Sequence, residues 1–87
     1  MILHRLYIGI PEGRTLSDDA KFAAIRFDGA TVTETTGIWK GSTERSAVVE
    51  VLDPRPGRVD SFVAWGKVEF QQKEILVVSH PVHGEIR

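Results

Sequence analysis

Apolar and polar positions alternate from Leu3 to Ile10. Leu6, Ile8 and Ile10 fall on one side, and Leu3, Arg5, Tyr7 and Gly9 on the other, which is the period of a half-buried strand. Pro11 and Gly13, with polar residues between them, end it. Ser17 then has the form of a helix N-cap, with Asp18 and Asp19 in the first turn, where the helix dipole favours negative charge. Ala20, Phe22, Ala23, Ala24, Ile25 and Phe27 supply the apolar side of a short amphipathic helix, and Gly29 is its natural stop. Residues 30–40 are rich in Thr and Val and predict a strand with one wet face or a place at a sheet edge. Residues 46–52 predict the strongest strand: Ala47, Val49 and Val51 face one way, and Val48, Glu50 and Leu52 the other.

Asp53-Pro54-Arg55-Pro56-Gly57 breaks the pattern, because neither proline fits a helix interior or a central strand. Beyond it, Val59, Phe62, Val63, Gly66 and Phe70 recur at helical spacing. Phe62, Ala64, Gly66, Val68 and Phe70 also alternate with period two, and Gly66 weakens a helix by about 1 kcal/mol relative to Ala. The helix is preferred because it supplies the crossover that two flanking parallel strands require. Glu74 to His80 predicts a last strand, and its near-continuous apolar run suggests cover on both sides. Pro81 ends that strand, and the polar tail from Val82 to Arg87 is expected to fray.

The order strand, helix, strand, strand, helix, strand, joined by right-handed crossovers, predicts an α+β domain. Its form is a ferredoxin-like split βαβ (βαββαβ): a four-stranded antiparallel sheet with two helices on one face and the first and third strands in the centre. The helix-covered face is expected to hold Leu6, Ile8, Ile10, Ala47, Val49 and Val51. The other face would hold Leu3, Arg5, Tyr7, Val48, Glu50 and Leu52. A fully solvated face should be polar, and this one is mixed, so a second copy of the chain, a ligand or the C-terminal tail is expected to cover part of it.

Eighty-seven residues make a single domain, 1–87, small enough that self-association is a common remedy for thin stability. A formal net charge of −1 gives no global field toward long nucleic acid or an anionic membrane, so an anion site would have to be local. The absence of cysteine excludes a disulfide framework, a thiolate nucleophile and a thiolate zinc site. It fits a reducing, cytoplasmic setting. Met1 to Ile10 lacks the order of a signal peptide, and no apolar run approaches the roughly 20 residues of a membrane span.

Three clusters carry candidate chemistry. Trp39, Lys40, Ser42, Thr43 and Arg45 crowd one turn: the indole could stack on a flat ring, the cations pair with phosphate and the hydroxyls donate hydrogen bonds. A solubilising hairpin with Trp39 at a subunit contact would look the same. Arg5, Tyr7 and Glu50, on adjacent strands, could orient a polar ligand or move a proton, or form a plain cross-strand ion pair beside a phenol. His80 and His83, with His4, invite a metal, but Pro81 intervenes, the spacing shares no strand face, and no metal or cofactor is expected. No nucleophile elbow surrounds any serine, and no phosphate-binding glycine pattern is present.

The segments Leu6-Tyr7-Ile8-Gly9, Gly37-Ile38-Trp39-Lys40-Gly41, Glu44-Arg45-Ser46-Ala47-Val48-Val49-Glu50 and Gln72-Lys73-Glu74-Ile75-Leu76-Val77-Val78 resemble a loose group of small phage and bacterial proteins with a T-G-x-W-K-G hairpin. The resemblance covers most of the chain. The second helix departs from it, with Trp65 and Gly66 where Leu and Glu would be usual. It implies the fold above and, by analogy, action in the host cytoplasm against host defence. The leading expectation is a non-enzymatic, homo-oligomeric sponge for a small anionic or nucleotide signal held by the hairpin. The alternatives are a module that blocks a host protein through Trp39, Tyr7 and Arg45, and, least favoured, a small enzyme of the dimeric α+β-barrel kind.

Overall fold

A computed structural model describes residues 1–15, 27, 29–52, 56–85 and 87. They form β1 (Ile2–Gly9), β2 (Ala30–Trp39), β3 (Ser42–Leu52), α1 (Pro56–Glu69) and β4 (Leu76–Pro81). The four strands make one sheet in the order β2-β3-β1-β4, and every neighbouring pair is antiparallel. The first and third strands therefore hold the centre, as the sequence predicts. β3 and β4 run parallel with β1 between them, and α1 is the crossover that joins them. The architecture is α+β.

Alternation along the central strands decides the core. Leu6, Ile8, Ile10, Ala47, Val49 and Val51 are all buried, as their periodicity requires. The helical reading of the second apolar stretch holds. Val59, Phe62 and Phe70 are buried on the helix side, and Ile75 packs onto Gly66. The rival strand reading fails because Val68, on the same period-two series, is 79% exposed. Pro56 opens α1, where its missing N–H and fixed φ do no harm. The helix closes on Gln71 at φ 55°, with Gln72 N–H donating to Lys67 O at 2.9 Å and Gln71 N–H to Val68 O at 3.3 Å. This is a Schellman arrangement without its usual glycine.

Among the described residues there is one helix, not the two expected. The predicted helix over 17–29 lies outside them except for Phe27 and Gly29. Phe27 is buried and meets Phe62 edge-on, ring centroids 5.4 Å apart. Trp65 continues the aromatic row toward Phe70 at 5.7 Å. Arg14 stacks over Phe70, 5.4 Å from its centroid, and donates to both the carbonyl and the carboxylate of Glu69. That fixes the loop after β1 against the negative end of the helix.

Two expectations are corrected. β4 is not covered on both sides: it is an edge strand, and Leu76 and Val78 are exposed. Its apolar run reflects one half-buried position, Val77, packed on the core and a bare apolar face beside it. The polar turn after β2 is shorter than the sequence suggested, only Lys40 and Gly41, and Ser42 to Arg45 already belong to β3.

Candidate functional site: the helix-free sheet face

The registers set the helix-free face residue by residue. Across the sheet from β2 to β4, one row reads Thr31, Glu50, Arg5, Val78, and the next reads Thr33, Val48, Tyr7, Leu76. Leu52, Leu3 and His80 form a third row beside the first. With strands about 4.8 Å apart, the face is about 15–20 Å wide. Leu3 and Val48 are half-buried, but the rest of its apolar members stand exposed: Tyr7 is 40% exposed, Leu52 45% and Leu76 61%. Among the described residues, the tail does not close over them. Val82 N–H donates to Met1 O at 3.0 Å, which runs the tail alongside the start of β1.

The structure brings Arg5, Glu50 and Tyr7 together. Arg5 and Glu50 are direct cross-strand partners, with Nε 3.5 Å from Oε2, both a little over one third exposed. Tyr7 lies two positions along β1 on the same face, opposite Val48. The ion pair is screened by water and contributes under about 1 kcal/mol to the fold. Its larger effect is on recognition: it sets one positive and one negative group at a fixed place within an apolar surround.

The hairpin residues converge less. Lys40 at φ 50° and Gly41 at φ 80° form a two-residue turn of the I′ kind, whose twist suits the flanking strands. The strand alternation places Ser42 at a helix-free position, and Thr43 and Arg45 at helix-side positions. Arg45 is occupied. Its Nε and Nη2 donate to Glu34 Oε1 at 3.1 and 3.0 Å, and its Nη1 donates to the Arg14 carbonyl at 3.1 Å. Trp39 pairs with Ser42 in register, and its indole lies outside the described atoms.

The histidines stay apart. His4 Nδ1 lies 2.6 Å from Ser79 Oγ, His80 pairs with Leu3 on the opposite face, and His83 is exposed in the tail. Among the described residues, no group of three or more His, Cys, Asp or Glu could hold a metal ion, and no helix is long and apolar enough to cross a membrane. The expected charges at Asp18 and Asp19 lie outside the described residues. The sequence reading missed the contribution of Leu76, Val78 and Thr33 to the face. The signal that could have found them was the alternation of Leu76 and Val78 with Val77 beside the alternation in β1. The chain matches no protein-family model and no curated protein sequence.

Proposed function

We propose that this chain is a non-enzymatic, homo-oligomeric binding protein whose helix-free sheet face docks on a protein partner. The observation that supports it is the exposed apolar set Tyr7, Leu52, Leu76 and Val78 around the Arg5–Glu50 pair. A broad, uncovered apolar face with a fixed dipole suits a protein surface, whereas small ligands favour concave sites. Tyr7 and Arg5 are residue types enriched where binding energy concentrates. The whole-chain arrangement that goes with this reading is the ferredoxin-like split βαβ with both helices on one side. The strand order, and Phe27 packed against Phe62, support it.

The resemblance to small phage proteins makes a host defence protein in the host cytoplasm the partner we propose. The test is affinity capture from host extract with the intact chain and with a Leu52→Asp/Val78→Asp variant, each checked for fold by circular dichroism. One stoichiometric protein retained by the first and lost by the second is the expected result. Equal capture by both overturns the reading.

A second reading, sequestration of a small anionic or nucleotide signal by Trp39, Lys40, Ser42, Thr43 and Arg45, draws on the exposed Ser42 and Thr43 hydroxyls beside the Lys40-Gly41 turn. It requires Arg45 to leave Glu34 and the Arg14 carbonyl. A melting-temperature rise with any of a panel of cyclic nucleotides, lost in Lys40→Ala, would favour it; a flat panel would remove it.

A further inference from the structure

The two edges of the sheet are unlike. β4 is six residues long, ends in Pro81, and is followed by a backbone hydrogen bond that returns Val82 to Met1. Short length and a proline are devices that blunt an edge against pairing. β2 has none of them. It runs ten residues with no proline, no residue at positive φ, and a one-to-one register against β3 from Ala30↔Val51 to Trp39↔Ser42 without a bulge. Among the described strands, only β3 pairs with it. Its one charged residue, Glu34, is held by Arg45 of the same sheet.

We infer that β2 is the subunit contact: two copies pair their β2 strands antiparallel about a two-fold axis at Thr35, joining their sheets into one of eight strands. The inference rests on the homo-oligomeric part of the reading above and names its contact. The register follows from what each alternative would oppose. An axis at Glu34 would set Glu34 against Glu34 of the other copy, and directly opposed like charges disfavour pairing. An axis at Thr35 sets Glu34 opposite Thr36, and Val32 opposite Ile38.

That choice accounts for Ile38, which is 77% exposed on one copy and finds an apolar neighbour in the pair. The Thr31 to Trp39 stretch then gains about eight to ten main-chain hydrogen bonds. An axis perpendicular to the sheet leaves both helix-free faces on the same side. The dimer thus offers one continuous platform of twice the width.

Light scattering on a sizing column should give twice the 9.7 kDa chain mass. The native sequence has no cysteine, so single cysteines report on the axis cleanly. Thr35→Cys should cross-link under mild oxidant, since residues opposed in a ladder lie within disulfide reach. Ile38→Cys should not, because its two copies would stand about 20 Å apart along the strands. Thr36→Glu places a carboxylate opposite Glu34 of the other copy and should weaken the dimer at least tenfold; Thr36→Lys should preserve or tighten it. In the single subunit Thr36 lies beside Arg45, so the monomer's own stability should shift the opposite way for the two variants.

A monomer at high concentration, or Ile38→Cys cross-linking while Thr35→Cys does not, overturns the inference. If the dimer survives Leu52→Asp/Val78→Asp while partner capture is lost, both readings stand. If those two substitutions dissolve the dimer and Thr36→Glu does not, the face is the subunit contact and the edge inference falls.

Discussion

At the scale of single residues, two positions in and after α1 decide local stability by opposed effects. Gly66 lacks a side chain where Ile75 arrives: an added Cβ would stand 3.2 Å from Ile75 Cδ1. Gly66→Ala gains about 1 kcal/mol of helix propensity and loses a similar amount to that contact, which the flexible tip of Ile75 partly relieves. Urea unfolding should therefore place Gly66→Ala within about 0.5 kcal/mol of the parent, and Gly66→Leu about 2 kcal/mol or more below it through overpacking. Gln71 is the reverse case. It is exposed, at φ 55°, in the one place of the helix end that favours glycine. Gln71→Gly should raise the unfolding midpoint by the equivalent of about 0.5–1 kcal/mol. Gly66 was legible as a helix weakener, but its reason was not, because Ile75 reaches it only through the tertiary fold. Gln71 gave no sequence signal at all: the left-handed cap is imposed by the hydrogen bonds to Lys67 and Val68 and by the loop that must follow.

At the scale of elements, periodicity carried the strands and failed at their surroundings. The alternation in residues 3–10 and 46–52 specified the buried set of the central strands, because a half-buried strand allows only one side inward. The run Leu76-Val77-Val78 could not be placed the same way. A strand with apolar residues on both faces reads alike whether it is buried or sits at an edge with one bare apolar face. Only its pairing with β1 distinguishes the two. The hairpin differs in the same sense: five polar and aromatic residues within seven positions read as one binding turn, but strand pairing consumes Ser42 to Arg45 and leaves a two-residue turn. That turn suits Asn-Gly better than Lys-Gly, since both central residues need positive φ and Asn tolerates it more readily than Lys. Lys40→Asn should raise the melting temperature by a few degrees, equivalent to about 0.5 kcal/mol or more; Gly41→Val should lower it, at φ 80° where a β-branched residue is strained.

At the scale of the whole molecule, the partition between the two sheet faces governs what the protein can do. One face is closed by α1 and Phe27 over Leu6, Ile8, Val49 and Val51. The other leaves Tyr7, Leu52, Leu76 and Val78 in contact with water. Substitutions on the two faces should therefore separate stability from binding. Phe62→Ala, at a side chain 1% exposed, removes a central core contact and should cost about 3–5 kcal/mol, enough to unfold much of a domain of this size. Leu52→Asp and Val78→Asp, on strands whose inner faces are untouched, lose only a cross-strand neighbour each, Leu3 and the Arg5 stem, and should cost about 1 kcal/mol, well below the core substitution. Each instead sets a charge on an apolar surface, where desolvation opposes docking. Partner capture should fall at least tenfold for each face variant, with circular dichroism and the unfolding midpoint close to the parent. A face variant that unfolds as readily as Phe62→Ala would mean that this side is already packed within the subunit, and the binding surface would have to lie elsewhere.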